Sequence, residues 1–185
     1  MARPTPPGYH VVLSREADVP FDSVDSVLKD LADGRMVVLV DDEQRENEGD
    51  LVCAGQFVTP DVVNFMLTHG RGMLFVAVSG AVADRLDLPP QTAVNTTQQG
   101  TAYTISVDAH ARHGVTTGVS AADRATTVRV LADPASTPGD LARPGHIQPV
   151  RARTGGVLVR TGHTEGMIDL CQLAGLEGVA LGIEI

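Results

Sequence analysis

Met36-Val37-Val38-Leu39-Val40-Asp41-Asp42-Glu43-Gln44-Arg45-Glu46-Asn47-Glu48-Gly49-Asp50-Leu51-Val52-Cys53-Ala54 is the stretch on which the fold turns. Residues 36–40 are apolar and mostly β-branched, a run that suits a strand buried on both faces. Ten residues dominated by carboxylates follow, gathered around one arginine, Arg45. Residues 51–54 then resume an apolar strand. A strand that stops on such a loop and restarts beyond it fixes both ends of the loop.

Upstream, Val24, Val27, Leu28 and Leu31 recur at helical spacing, with Asp22 or Ser23 as cap and Gly34 as stop. Downstream, Thr59-Pro60 caps and opens a helix carrying Val62, Val63, Phe65, Met66 and Leu67, closed by Gly70 and Gly72. Residues 73–78 read as a buried strand and residues 81–86 as a short helix before Pro89-Pro90. Alternation over residues 101–107 predicts a strand with Ala102, Thr104 and Ser106 on one face and Tyr103, Ile105 and Val107 on the other. Ser120 and Asp123 form a capping-box pattern for a helix running to about residue 132. Residues 133–144 read as a loop, and residues 147–152 and 157–160 as strands about Gly155-Gly156. Thr164 is the expected cap of a last helix that Gly175 ends, and residues 179–185 form a final strand.

Helices and apolar strands thus interleave, which predicts α/β or interleaved α+β architecture around a largely buried mixed sheet. At 185 residues with 43% hydrophobic content, the chain can bury the core of one compact domain. Residues 1–21, with Pro4, Pro6 and Pro7, read as an irregular arm before a domain at 22–185. A net charge of −9 with no dense basic run argues against nucleic acid as a partner. No apolar run approaches the ~20 residues that span a bilayer, and no signal-peptide pattern opens the chain. Cys53 and Cys171 have no metal-ligand spacing, so buried free thiols in a reducing cytoplasm are expected. Neither a Gly-x-Gly-x-x-Gly nor a Walker loop occurs.

Three segments can carry chemistry. In the acidic loop, crowded carboxylates are unfavourable unless water solvates them or a cation organises them. The loop lacks the EF-hand spacing, and a solvated acidic turn is the plainer alternative. In Arg143-Pro144-Gly145-His146, Pro and Gly would make a tight turn that holds His146 in one orientation for acid-base work. A loop histidine taken alone is more often a surface residue. In Arg160-Thr161-Gly162-His163-Thr164-Glu165, the predicted helix start offers free N–H groups to a phosphate, with Arg160 adding a bidentate contact. An ordinary N-cap with a surface histidine would read the same way. His10, His69, His110 and His113 carry no informative spacing.

Taken together and in order, these segments resemble the motifs of the 3,4-dihydroxy-2-butanone-4-phosphate synthase family of riboflavin biosynthesis. Gly100-Thr101-Ala102-Tyr103-Thr104, residues 117–124, Gly155-Gly156-Val157-Leu158 and Leu173-Ala174-Gly175-Leu176 agree, and the likeness runs from about Ser23 to Ile185. The resemblance implies conversion of D-ribulose 5-phosphate to 3,4-dihydroxy-2-butanone 4-phosphate and formate by enolisation, skeletal rearrangement and loss of C4. It implies Mg2+ or Mn2+, with two ions when substrate is bound. It also implies a mixed β-sheet packed between helical layers in a single domain, and a homodimer with active sites near the subunit interface. Position by position, Glu46 and His163 would be metal ligands. Arg45, Glu46, Asp50, Thr104, Arg160, Thr161, Gly162, His163, Thr164 and Glu184 would bind substrate, and His146 and Glu184 would move protons. Gln44, Gln148 and Gly166 depart from the family's usual residues. Because members also occur fused to a GTP cyclohydrolase II domain, for which no residues follow here, synthase activity alone is expected. The rivals are another Mg2+-dependent sugar-phosphate aldolase or isomerase, and a non-catalytic metal or phosphometabolite binding module.

Overall fold

Four of the five α-helices among the described residues begin where a hydroxyl oxygen serves an unpaired amide. Ser23 accepts the Ser26 N–H before α1 (Val24–Ala32), and Thr59 the Val62 N–H before α2 (Pro60–His69). Ser79 accepts from Val82 before α3 (Gly80–Arg85), and Ser120 from Asp123 before α4 (Ala121–Ala132). Each such cap contributes about 1 kcal/mol. The fifth helix, α5 (His163–Leu173), starts differently: its cap is Gly162, with no side-chain bond, and Thr164 lies inside the first turn. The expected capping box at α4 is half formed. Asp123 turns its carboxylate to the Thr116 N–H and hydroxyl and the Gly118 N–H instead.

These elements belong to a computed structural model that describes residues 21–185; apart from Phe21, the arm assigned to residues 1–21 lies outside the described residues. Strands β1 (Val37–Val40), β2 (Gly49–Ala54), β3 (Leu74–Val78), β6 (Pro149–Arg151) and β7 (Val179–Glu184) form one mixed sheet in the order β1-β2-β7-β3-β6, with only β3 and β6 parallel. Side chains alternate between two cores, as a pleated strand requires. Val52, Ala54, Phe75, Ala77 and Ala180 pack with Met167, Ile168 and Cys171 of α5. Cys53, Val76, Val78, Val179, Leu181 and Ile183 pack with α2, α3 and α4 through Val63, Met66, Val82, Val128 and Leu131. A two-stranded antiparallel ribbon, β4 (Val107–Ala109) with β5 (Leu141–Ile147), joins this second core. The expected mixed sheet between helical layers is therefore present.

The strand expected over residues 101–107 does not form, leaving isolated bridges at Tyr103 and Thr104 before β4 begins at Val107. Three further local expectations fail for identifiable reasons. β1 is an edge strand, and Val38 and Val40 are exposed rather than buried on both faces. Residues 157–160 form no strand: Gly155 and Gly156 both take positive φ and lead into a 3-10 turn at Gly156–Leu158. Arg143-Pro144-Gly145-His146 lies inside β5, not in a loop. Gly145 is needed there because a Cβ would overlap the Val107–Asp108 backbone, so its glycine signals close strand approach and not a turn. Two of the family departures find a place. The Gln148 amide donates to the Thr104 carbonyl at 2.6 Å, and Gly166 leaves space for Leu39, whose Cδ2 would stand 3.0 Å from an added Cβ.

Candidate active site

The acidic loop is organised by Asp41, which sequence reasoning passed over. Its carboxylate accepts the Glu46 N–H at 3.1 Å, the Glu48 N–H at 2.9 Å and an Arg45 guanidinium hydrogen at 2.7 Å. Burial opposes the charge, but these donors prevail and hold Asp41 down at about 2. Asn47 supplies the left-handed residue that lets the chain turn back, at φ 55. Arg45 also pairs with Glu46, so the lone guanidinium bridges two carboxylates of its own loop.

The loop closes on the start of α5. His163, 9% exposed, has Nδ1 3.8 Å from Glu46 Oε2 and 3.9 Å from Asp50 Oδ2, with Nε2 4.0 Å from Asp41 Oδ1. Donor atoms of Asp41, Glu46 and His163 all lie within 4.8 Å of one another. Two buried polar atoms here have no hydrogen-bond partner, Asp50 Oδ1 and His163 Nε2. Such atoms are costly to bury alone, and a carboxylate–imidazole set of this spacing suits a divalent cation. Burial, together with repulsion from Glu184, Glu48 and Glu46, pushes Asp50 up to about 6 against the pull of His163. Glu184 is paired across the sheet with Asp50 and accepts the Met73 N–H at 3.2 Å.

One cleft is lined by Arg45, Glu46, Glu48, Asp50, Phe75, Thr101, Tyr103, Val150, Arg160, His163, Thr164 and Glu184. Beside the carboxylates, the cleft meets the start of α5. With glycine as cap, no side chain serves the first-turn amides of that helix, which leaves them and the helix dipole for an anion. Arg160 is held at the same place: its guanidinium donates to Glu165 Oε2, Thr101 Oγ1 and the Gln99 carbonyl. Glu165 is 1% exposed and its other oxygen accepts the Arg153 N–H. This Arg160–Glu165 pair folds over Gly162, where a Cβ would overlap Arg160.

Seven expected residues thus converge: Arg45, Glu46, Asp50, Arg160, His163, Thr164 and Glu184. Gly162 acts from behind as the cap, and Thr161 is exposed outside the lining. Thr104 does not face the cleft. It is 1% exposed and its hydroxyl donates to the Pro149 carbonyl at 3.1 Å, while Thr101 and Tyr103 take the cleft side. The alternation was legible, but which face of the segment meets the site was not. Burial, with Glu184, Glu46 and Asp50 near, raises Tyr103 above the usual phenol range, so its hydroxyl stays a donor. His146 also lies outside the lining, on β5, with Nδ1 2.7 Å from Asp108 Oδ2.

A carboxylate–imidazole cluster and an uncapped helix start beside an arginine share one cleft on a mixed sheet, an arrangement that suits the class of small α+β enzymes. Comparison with known families makes the class particular. The family model of 3,4-dihydroxy-2-butanone 4-phosphate synthase matches residues 25–185, and the chain belongs to that family of riboflavin-biosynthesis enzymes. Riboflavin biosynthesis protein RibBA of Synechocystis is 53% identical over 165 residues, covering 89% of this chain and 30% of that protein. RibBA of Aquifex aeolicus is 46% identical over 173 residues, covering 94% of this chain and 43% of that protein. The chain therefore spans less than half the length of these relatives. A crystal structure of 3,4-dihydroxy-2-butanone 4-phosphate synthase in complex with two magnesium ions matches with TM-score 0.86 at 44% identity, over 89% of this chain and 76% of that one. A cation-free form of such a synthase matches with TM-score 0.82 at 43% identity, over 90% and 76%. Among the described residues, no helix is long and apolar enough to cross a membrane.

Proposed function

We propose that this chain converts D-ribulose 5-phosphate to 3,4-dihydroxy-2-butanone 4-phosphate and formate, with Mg2+ or Mn2+ held at Glu46 and His163 and two ions present when the sugar is bound. The observation that carries the reading is the convergence in one cleft of Glu46 and Asp50 about His163, backed by Asp41, with the uncapped start of α5 and Arg160. A bound divalent cation would polarise the sugar carbonyl and offset negative charge as the adjacent carbon loses its proton. The first-turn amides of α5, Thr164 and Arg160 hold the phosphate, which orients the small sugar without joining the reaction. Glu184, fixed by the Met73 N–H, takes or returns protons beside Asp50. Arg45 and Asp50 contact the sugar oxygens.

His146 is the second proton-transfer group. It does not line the cleft of its own chain, and its assigned place is an active site near the interface of a homodimer, where the two-fold partner would supply it. The buried free thiols of Cys53 and Cys171 suit a reducing cytoplasm. Purified protein with Mg2+ is expected to release formate from ribulose 5-phosphate, and a chelator to stop it. A folded protein that gives no formate refutes the assignment, and an isomer or aldol product without formate assigns the cleft to a different sugar-phosphate reaction.

A further inference from the structure

Asp108 is absent from every role assigned above, yet it meets His146 twice. Its Oδ1 accepts the His146 backbone N–H at 2.9 Å, and its Oδ2 lies 2.7 Å from the ring Nδ1. The carboxylate is largely covered, with 12% of its side chain exposed, whereas 46% of the histidine side chain is open. Gly118, at φ 88, closes over the contact, and a Cβ there would overlap both Asp108 Oδ2 and His146 Nδ1. The loop that carries Gly118 is itself pinned by Asp123 through Thr116 and Gly118. Gly145 completes the clamp by letting β5 press against the Asp108 backbone. Ring and carboxylate therefore have little freedom to part.

The geometry decides which ring nitrogen keeps its proton. A backbone N–H is a permanent donor, so it fixes one carboxylate oxygen and thereby aims the other. An ionised carboxylate only accepts, so the nitrogen facing it, Nδ1, must carry hydrogen in the neutral ring. The lone pair is then on Nε2, which makes no hydrogen bond among the described residues. We propose that Asp108 is a positioning residue, which fixes the tautomer and orientation of His146 so that Nε2 is the atom that accepts a proton. In that step the substrate's bonding pair stays on the substrate and its proton goes to Nε2. The imidazolium so formed is held by the Asp108 carboxylate until Nε2 returns the proton. This rests on the reading of His146 as a proton-transfer group.

Asp108→Asn separates the possibilities. The backbone N–H still demands the single amide oxygen, which turns the NH2 group toward Nδ1 and forces the opposite tautomer, with hydrogen on Nε2. Heteronuclear NMR of the full chain, labelled at histidine nitrogen and assigned with His146→Gln, should show hydrogen on Nδ1 in the wild type and on Nε2 in Asp108→Asn. The rate of formate release at saturating sugar phosphate should fall about 100-fold or more in Asp108→Asn, with KM changed less than about 3-fold. A wild-type ring carrying its hydrogen on Nε2 overturns the proposal, even if the variant does not fold. An unchanged tautomer in folded Asp108→Asn overturns it too, as does a loss expressed only in KM. Full activity in His146→Gln would instead remove the proton-transfer reading and leave the tautomer assignment standing.

Discussion

The Arg160–Glu165 pair offers the sharpest test of how the anion end of the cleft is built. Glu165 is 1% exposed and the Arg160 side chain 16%, so the ions face each other in a largely dry setting over Gly162. Glu165→Leu removes the counter-charge of Arg160 and also orphans the Arg153 N–H. Losing one partner of a buried pair costs roughly 3–5 kcal/mol, and an unsatisfied amide adds roughly 1–3 kcal/mol. Partial exposure of Arg160 shifts the sum toward the lower end, about 4 kcal/mol. Arg160→Met strands the Glu165 carboxylate, at a cost of about 3 kcal/mol on the same grounds. The double variant strands neither charge, so it should be less destabilised than the sum by about 2 kcal/mol or more. Urea unfolding of the four proteins gives this coupling directly. Single-variant losses that add within about 0.5 kcal/mol would show that the two groups do not depend on each other, and the account of how Arg160 is held would fail. Either substitution should also raise KM for ribulose 5-phosphate, because Arg160 is expected to grip the phosphate.

Glu46→Gln should lower metal-dependent formate release by about 100-fold or more with the fold intact; full activity would end its role as a metal ligand. Gly182→Ala should cost roughly 1–3 kcal/mol in chemical unfolding, since the new methyl comes 2.6 Å from Met167 Cε and 3.0 Å from Phe75 Cζ. A neutral result would mean that Met167 repacks freely. Met167→Ala, at a fully buried position, should cost roughly 2–5 kcal/mol by the same assay. Burial raises both Cys53 and Cys171 to about 12, and a raised pKa means neutral thiols across the ordinary range. Mass spectrometry should therefore find native protein unmodified by iodoacetamide at about pH 8 and doubly modified once unfolded.

Much of the fold could be read from local pattern because its cause is local. The hydroxyl caps at Ser23, Thr59 and Ser120 and the left-handed Gly34 and Gly175 mark helix boundaries through bonds that span only a few residues. Apolar runs at β2, β3 and β7 marked strands, and these are buried because both faces of the sheet are covered. The misreadings share another cause. Val38 and Val40 look like core residues, but the strand order puts β1 at an edge. Pro144 and Gly145 look like a turn, yet the glycine answers to the β4 backbone, far away in sequence. Thr164 looks like a cap, but Gly162 fills that position and leaves the helix start free.

The acidic stretch from Asp41 to Asp50 shows where the division falls. By itself the sequence determined that this loop is charged and that strands hold its ends, while the resemblance to a known family singled out Glu46, Asp50, Arg160, His163 and Glu184. Residue type sets donor atoms and charge, and periodicity sets which elements carry them. Only the tertiary structure decided that Asp41 is the hub of the loop, that Glu165 restrains Arg160, that Tyr103 and not Thr104 faces the cleft, and that His146 belongs with Asp108. The contacts of Asp41 and the Arg160–Glu165 pair span only four to seven residues but depend on how the loop and the helix start fold. The last two facts depend on register between segments 45 and 38 residues apart. A side chain's partner is set by which strands lie side by side, and no local pattern encodes that distance.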